Sequence, residues 1–399
     1  MKKIPIVLAS DKNCASQMYT TILSAIANKS EHSFYDFYCL VPNKFSKRVT
    51  KFFYKLIEKY QNVNLTFVNM KNAFSDIEMQ IPHITSPTFY RLKITELLPQ
   101  YEKALYIDID TIVLQDLTEL YETDLGENYI GGVHSAAYVI NEKNTKQYFD
   151  SIGMPDMKYY INAGVILWNL KQIREENVDS KLIEMCKNQY RFMDQDIINL
   201  VCYGKIKHLD FKYNVMTSFK SRFLDVPELC QKVYDCYGKK NIENAIVHPV
   251  IIHYVSSVKP WNNQDIWLGK YWRYYAKKNP IKVKKVLTME QKFIEQVNQY
   301  KFNKVVFWGA SVFLKDLILS GKIKKHKILG IVDKDSSKWD EKIGNFEIYS
   351  PEKLKELKPE FIIFSIINTH HTIYPIVQNF IKINFPKIKL LPNPFNNRK

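Results

Sequence analysis

Ala104-Leu105-Tyr106-Ile107-Asp108-Ile109-Asp110-Thr111 is an apolar run that ends in two carboxylates one residue apart. In extended backbone successive side chains point to opposite faces, so Asp108 and Asp110 are expected to share one side, with Ile109 turned toward a core. Two carboxylates held this close repel each other, and each resists losing its water. A divalent cation resolves that conflict, because hard oxygen ligands suit Mg²⁺ or Mn²⁺. The end of a strand in an open α/β sheet is also where ligands bind. An isolated Asp-x-Asp is more often a solvated acidic turn, so its meaning depends on the rest of the chain.

The chain has 399 residues, 46% apolar and 25% charged, an ordinary globular composition. That length fits two or three domains of ~100–200 residues. No apolar run approaches the ~18 residues of a membrane helix. Met1–Ser10 is too short an apolar stretch for a signal peptide, and Asp11-Lys12 follows at once, so it reads as a first strand. Fifty-seven Lys and Arg against 41 Asp and Glu give a net charge of +16. That excess favours anionic partners such as phosphates, nucleic acid or the inner leaflet of a membrane. The lysines are spread along the chain, which equally fits solvated faces. The six cysteines have no Cys-x-x-Cys spacing and read as reduced thiols, which points to the cytoplasm.

Over the first 270 residues or so, strand-like and helix-like patterns alternate, the mark of α/β layers. Ile4–Ala9, Phe34–Val41, Asn64–Val68, Lys103–Ile107, Asn162–Trp168 and Val250–Tyr254 read as strands. Cys14–Asn28, Ser46–Tyr60 and Thr88–Leu98 read as helices, and Phe192–Cys202 as a helix that opens on Asp194 and Asp196. Trp267 to Tyr300 is rich in Lys, Tyr and Trp and reads as an exposed helical connector. A helix lying on a membrane surface and packing between domains both fit it. The βα pattern restarts at Lys304, with strands at Lys304–Phe307, Ile328–Val332 and Phe361–Ser365. The expected domains are 1–275, a connector 276–300, and a small α/β domain 301–399.

Five segments carry candidate chemistry. Ile6-Val7-Leu8-Ala9-Ser10-Asp11-Lys12-Asn13 ends a strand in groups able to bond ribose or a base, although Asp11 alone would read as a helix cap. Phe89-Tyr90-Arg91-Leu92-Lys93 offers an arginine fork, and Asp108-Ile109-Asp110 is the third segment. Tyr160-Ile161-Asn162-Ala163-Gly164-Val165 comes fourth. The fifth is in two parts, Met193-Asp194-Gln195-Asp196 and Ile252-His253-Tyr254 through Lys259-Pro260-Trp261.

In this order the segments resemble glycosyltransferase family 8, of the bacterial lipopolysaccharide galactosyl- and glucosyltransferase type, over roughly Ile4 to Trp272. The resemblance implies a nucleotide-sugar-binding Rossmann-like (GT-A type) mixed sheet flanked by helices. It implies that Ala9, Asp11 and Asn13 receive the base and ribose of a UDP-sugar, and that Arg91, Asp108 and Asn162 face the donor. It also implies that Asp108, Asp110 and His253 hold Mn²⁺ (or Mg²⁺), that Lys259 grips the leaving diphosphate, and that Asp194 and Gln195 carry catalysis. The expected reaction is transfer of galactose or glucose, with retention, to a saccharide acceptor. That acceptor is read as the lipopolysaccharide or lipooligosaccharide core or a lipid-linked saccharide, with peripheral contact at the inner membrane.

Two departures bear on the donor sugar: Ser135 stands where many members carry an aspartate, and Ser256 replaces a common glycine. One hydroxyl separates glucose from galactose, so one hydrogen bond decides between them.

On the residues alone other classes stay open. A metal-dependent nucleotidyltransferase would carry a Gly-rich phosphate loop, and Ala9–Asn13 has no glycine. A non-catalytic protein binding anionic glycans or nucleic acid suits the charge. A glycosidase fits less well, because adjacent carboxylates lie too close for the usual ~5–9.5 Å pair. The tail segment resembles the small Rossmann-like units appended to bacterial sugar-modifying enzymes. It lacks the Gly-x-Gly-x-x-Gly fingerprint, so a scaffold or regulatory role is expected of it, although Asp333 sits where a ribose hydroxyl could be bound.

Overall fold

Among the described residues, the first part of the chain holds ten strands: β1 (Lys3–Ala9), β2 (Phe34–Val41), β3 (Val63–Asn69), β4 (Lys103–Ile107), β5 (Thr111–Val113), β6 (Ile130–His134), β7 (Ile161–Asn169), β8 (Ile206–His208), β9 (Val215–Met216) and β10 (Ile251–His253). Alternate residues of β1 enter different cores, Ile4, Ile6 and Leu8 on one face, Val7 and Ala9 on the other. β4 divides in the same way, with Leu105 and Ile107 against Ala104 and Tyr106. Strands buried on both faces belong in the middle of a helix-covered sheet. The order β3-β2-β1-β4-β7-β6-β8 places them there. β1 to β4 run parallel where they pair, and β7 is antiparallel to both β4 and β6, so the sheet is mixed.

The computed structural model describes residues 2–11, 13–42, 45–75, 77, 86–135, 143–255, 259–282, 289–300, 302–323, 328–366 and 370–393. Lys12 and Ser256 of the motifs above lie outside the described residues. The chain divides into two compact units, Met1–Lys285 and Val286–Lys399. Among the described residues no helix is long and apolar enough to cross a membrane.

A second, three-stranded sheet, β5-β10-β9, positions the site. In it His253 pairs with Thr111, the residue after Asp110, and the Tyr254 amide donates to the Asp110 carbonyl (2.9 Å). The chain leaves β4 at Ile107 and turns through Ile109 and Asp110 before β5 begins. The Thr111 hydroxyl closes this turn on the Asp108 carbonyl (2.7 Å). The two carboxylates therefore share a side because the backbone turns, not because extended backbone alternates. Ile109 is half-buried and packs on the core as expected.

Thr88–Leu98, expected as one helix, is a 3₁₀ helix over Ser86–Lys93 followed by a short α-helix, Ile94–Leu97. Side chains three apart align in 3₁₀ winding, and that alignment sets Thr88 and Arg91 on one side. The aromatic segment after Trp267 is not an exposed connector. Helix Gly269–Ala276 buries Trp272 and Tyr275, and Asn279 then bonds the Ser16 and Thr20 hydroxyls. Helix Met289–Gln299 instead delivers Phe293 and Val297 to the core of the second unit.

That second unit holds β11 (Val305–Trp308), β12 (Ile328–Val332), β13 (Lys342–Ile343), β14 (Phe346–Tyr349), β15 (Phe361–Phe364) and β16 (Lys389–Leu390), in the order β13-β14-β12-β11-β15-β16. All its pairings are parallel except β13 with β14. Asp333, at the end of β12, accepts from the Ala310 amide (2.8 Å) and lies 3.4 Å from Lys338 Nζ. Gly309 has φ +106°, and a β-carbon there would stand 2.3 Å from Ile366 Cγ1, so an apolar side chain occupies the turn.

Candidate active site

Each carboxylate of the Asp-x-Asp pair has one oxygen held by a cationic side chain and the other turned inward. Asp108 Oδ1 accepts from Arg91 Nη2 (2.9 Å) and from the Tyr106 hydroxyl (2.8 Å). Its Oδ2 lies 3.8 Å from His253 Nε2. Asp110 Oδ2 is paired with Lys259 Nζ, and its Oδ1 lies 3.2 Å from the same imidazole nitrogen. Burial alone would push the Asp110 carboxyl up, but Lys259 and His253 hold it well below the usual carboxylate range. Ligand atoms of Asp108, Asp110 and His253 all lie within 4.8 Å of one another, a spacing and donor set that suit a divalent cation. Glycine at 164 is required here: a β-carbon would stand 2.0 Å from His253 Cε1.

Arg91 connects this cluster to the next. It is 5% exposed, stacks over the Tyr106 ring at 4.1 Å, and pairs with Asp194 through Nε (3.0 Å) as well as with Asp108. Burial lowers the tendency of the guanidinium to stay charged, but the two carboxylates more than offset it. The Thr88 hydroxyl completes the Asp194 shell. One guanidinium shared by two carboxylates does not neutralise both. Burial pushes Asp194 up to about 6, with Arg91 and Thr88 offsetting only part of the rise. The preceding residue, Met193, is buried at φ +50°, a conformation disfavoured for any residue that carries a β-carbon and costing on the order of 1–3 kcal/mol.

Gln195 is locked against β7. Its Oε1 accepts from the Ala163 amide (3.0 Å) and from Asn162 Nδ2 (3.1 Å), and its Nε2 donates to the Tyr160 hydroxyl (3.2 Å). Asp108, Asp110, Arg91, Asn162, Asp194, Gln195, His253 and Lys259, drawn from six separate stretches of sequence, thus meet at the carboxyl ends of β1 and β4.

The profile of glycosyl transferase family 8 matches residues 5–265. The chain belongs to glycosyl transferase family 8. A putative glycosyltransferase of Haemophilus influenzae is 28% identical over 277 residues, covering 65% of this chain and 73% of that protein. The lipopolysaccharide 1,2-glucosyltransferase of Escherichia coli is 26% identical over 200 residues, covering 49% of this chain and 55% of the enzyme. Against GlyE and GlyA of Streptococcus pneumoniae the matched stretch spans 61% and 35% of their lengths. The crystal structure of the galactosyltransferase LgtC, in complex with donor and acceptor sugar analogs, superposes with a TM-score of 0.56 and 27% identity. It covers 70% of this chain and 97% of LgtC. The large mixed sheet is the GT-A arrangement of these glycosyltransferases.

In this family 8 chain the loop that follows β1 leaves the sheet next to the end of β4, since β1 pairs with β4 through Val7 and Tyr106. Asp11 Oδ1 accepts from the Asn13 (2.7 Å) and Cys14 (3.2 Å) amides, a local cap at the start of helix Ala15–Ala27. Ser135 is buried, and its amide donates to the Tyr160 carbonyl (2.9 Å).

Several members of the network were given no role from sequence, Asp196 being named only at the opening of its helix. Asp196 takes hydroxyls from Tyr148 and Tyr160 and the Phe192 amide. Asn199 clasps both backbone groups of Ile161 (2.7 and 3.0 Å). Asn214 links Asn162 to His253. The signal for Asn214 was an amide between Tyr213 and Val215-Met216, a polar side chain that burial there obliges to find partners.

Proposed function

We propose that the chain transfers a hexose, galactose or glucose, from a UDP-sugar to a saccharide acceptor with retention of configuration. The observation that carries this reading is the convergence of Asp108 Oδ2, Asp110 Oδ1 and His253 Nε2 while Arg91 and Lys259 hold the outer oxygens. Those three atoms would hold Mn²⁺ or Mg²⁺, which when bound supplies Lewis-acid stabilisation of a departing diphosphate.

The chain's own residues do the rest. Lys259, at the mouth of the pair, adds positive charge where the leaving group gathers negative charge. Asp194 and Gln195 place the sugar and shield the positive charge that builds on its ring. Gln195 Oε1 already accepts two hydrogen bonds, which lowers its worth as a nucleophile and favours front-side attack. In that step the bond from the anomeric carbon to the phosphate oxygen breaks, the bond to the acceptor oxygen forms, and the acceptor proton passes to the departing phosphate oxygen.

Ala9, Asp11 and Asn13 would receive the nucleoside. A lipopolysaccharide-core or lipid-linked saccharide at the inner leaflet fits the basic charge and the activity named for the Escherichia coli relative. The second unit is read as a scaffold, because the Asp333 carboxylate is already engaged and Ile366 fills the Gly309 turn. A screen of UDP-sugar hydrolysis with and without Mn²⁺ tests the function. Turnover of UDP-galactose or UDP-glucose only with metal is the expected result, and UDP-sugars left intact under every metal condition would overturn it.

A further inference from the structure

We infer that Asn214 is a positioning residue that sets which nitrogen of His253 carries the ring proton, and that it ties this choice to the donor-sugar side of the site. The inference rests on the metal-assisted transfer reading above. Its ground is a hydrogen-bond chain whose polarity can be worked out from groups that cannot reverse.

Backbone N–H groups only donate. The Gly164 amide donates to Asn162 Oδ1 (3.1 Å), and the Ala163 amide donates to Gln195 Oε1 (3.0 Å). Both side-chain amides are thereby oriented: Asn162 turns its Nδ2 to Gln195 and its Oδ1 toward Asn214. Asn214 must then present Nδ2 to Asn162 (2.9 Å), which leaves its Oδ1 facing His253 Nδ1 at 3.0 Å. An acceptor there requires a proton on Nδ1. In the neutral ring the lone pair lies on Nε2, the atom turned toward Asp108 and Asp110. Both partners are buried, Asn214 at 0% and His253 at 3% exposure. β9 holds Asn214 in place, since Val215 and Met216 pair with Ile252 and His253.

Removing an outer partner of a ligating histidine commonly costs 10- to 100-fold in metal affinity. Asn214→Ala is expected to weaken Mn²⁺ binding by about that factor. Asn214→Asp keeps an acceptor for Nδ1 but loses the donor to Asn162. It is expected to retain Mn²⁺ affinity while Km for the UDP-sugar rises, a split that a merely structural defect would not produce.

The experiment is isothermal titration with MnCl₂ on the full chain and both variants, together with long-range ¹H–¹⁵N spectra of ¹⁵N-histidine-labelled, metal-free protein, His253 being assigned through His253→Gln. Wild type is expected to show His253 with its proton on Nδ1, and Asn214→Asp to restore the Mn²⁺ affinity lost in Asn214→Ala. Wild-type protein with the proton on Nε2, or equal Mn²⁺ affinity in wild type and Asn214→Ala, would overturn the inference. Absence of Mn²⁺ binding in wild type alongside the Nδ1 proton would instead remove the metal reading and leave the tautomer assignment standing. The spectrum of the wild-type protein decides the tautomer even where the alanine variant fails to fold.

Discussion

Gly164 lies against the imidazole of His253 so closely that an added β-carbon would stand 2.0 Å from Cε1 and 2.6 Å from Nδ1. Backbone on that side is fixed, because the Gly164 carbonyl accepts from the Asp108 amide (2.8 Å). The ring, not the strand, has to yield. Gly164→Ala is therefore expected to tilt His253 away from Asp108 and Asp110, weakening Mn²⁺ binding at least tenfold, and to cost about 1–3 kcal/mol of stability, as overpacking does. Titration calorimetry and urea unfolding measure the two effects. A variant with native Mn²⁺ affinity would show that the ring position does not matter.

Arg91 is the buried cation between Asp108 and Asp194. Truncating it leaves the buried Asp194 and the partly exposed Asp108 without their shared partner. Arg91→Ala is expected to lower the unfolding free energy by about 3–5 kcal/mol. Arg91→Lys keeps a charge but cannot span both acids with one planar fork, so an intermediate loss is expected. Equal stability of wild type and Arg91→Ala in urea titrations would refute the bridging role.

Much of this site was legible in sequence because its members sit at strand ends or helix starts. β4 announces Asp108 through its apolar run, and the acid-rich opening Asp194–Asp196 marks a helix start. The strand pattern likewise gave the α/β layering, since β1 and β4 are buried on both faces. What the residues alone did not show depends on long-range pairing, and His253 entered only through the family resemblance. Nothing local says that β10 will lie beside β5, which is what carries His253 to the carboxylates. Nor does a lone amide in an apolar run say which partners Asn214 will find. The turn at Ile109-Asp110 and the 3₁₀ winding at Ser86–Lys93 were missed for a related reason: both are held by tertiary bonds, from Thr21 to the Ile109 carbonyl and Tyr254 to the Asp110 carbonyl, and from Thr88 and Arg91 to Asp194, that outweigh local propensity.

Lys259 reaches Asp110 and also donates to the Tyr254 carbonyl (2.6 Å). Its ammonium is thus preorganised beside the carboxylates, and groups placed where charge develops act on turnover more than on binding. Lys259→Met is expected to reduce kcat by about 10²–10³-fold, with a much smaller change in the affinity for UDP. Steady-state kinetics paired with UDP titration separates the two. A variant that loses UDP affinity and keeps kcat would make Lys259 a binding residue only.

Asp194 supplies a pH signature independent of turnover. Its carboxyl is raised from an ordinary 3.8 to about 6, chiefly by burial, with Arg91 and Thr88 offsetting part of the rise. A carboxyl raised on folding holds its proton more tightly in the native state than in the unfolded chain. The resulting stabilisation is full below the unfolded value near 3.8 and is lost as pH rises through about 6. Asparagine at this position has no such titration. In metal-free buffer the unfolding free energy of wild type is therefore expected to gain on that of Asp194→Asn as pH falls from 7 to 4, by roughly 2.5 kcal/mol. Urea titrations of both proteins at half-unit pH steps give the curve. A stability difference that stays flat with pH, or one that grows toward neutrality, would refute the raised Asp194 carboxyl and mean that Arg91 and Thr88 compensate its burial in full.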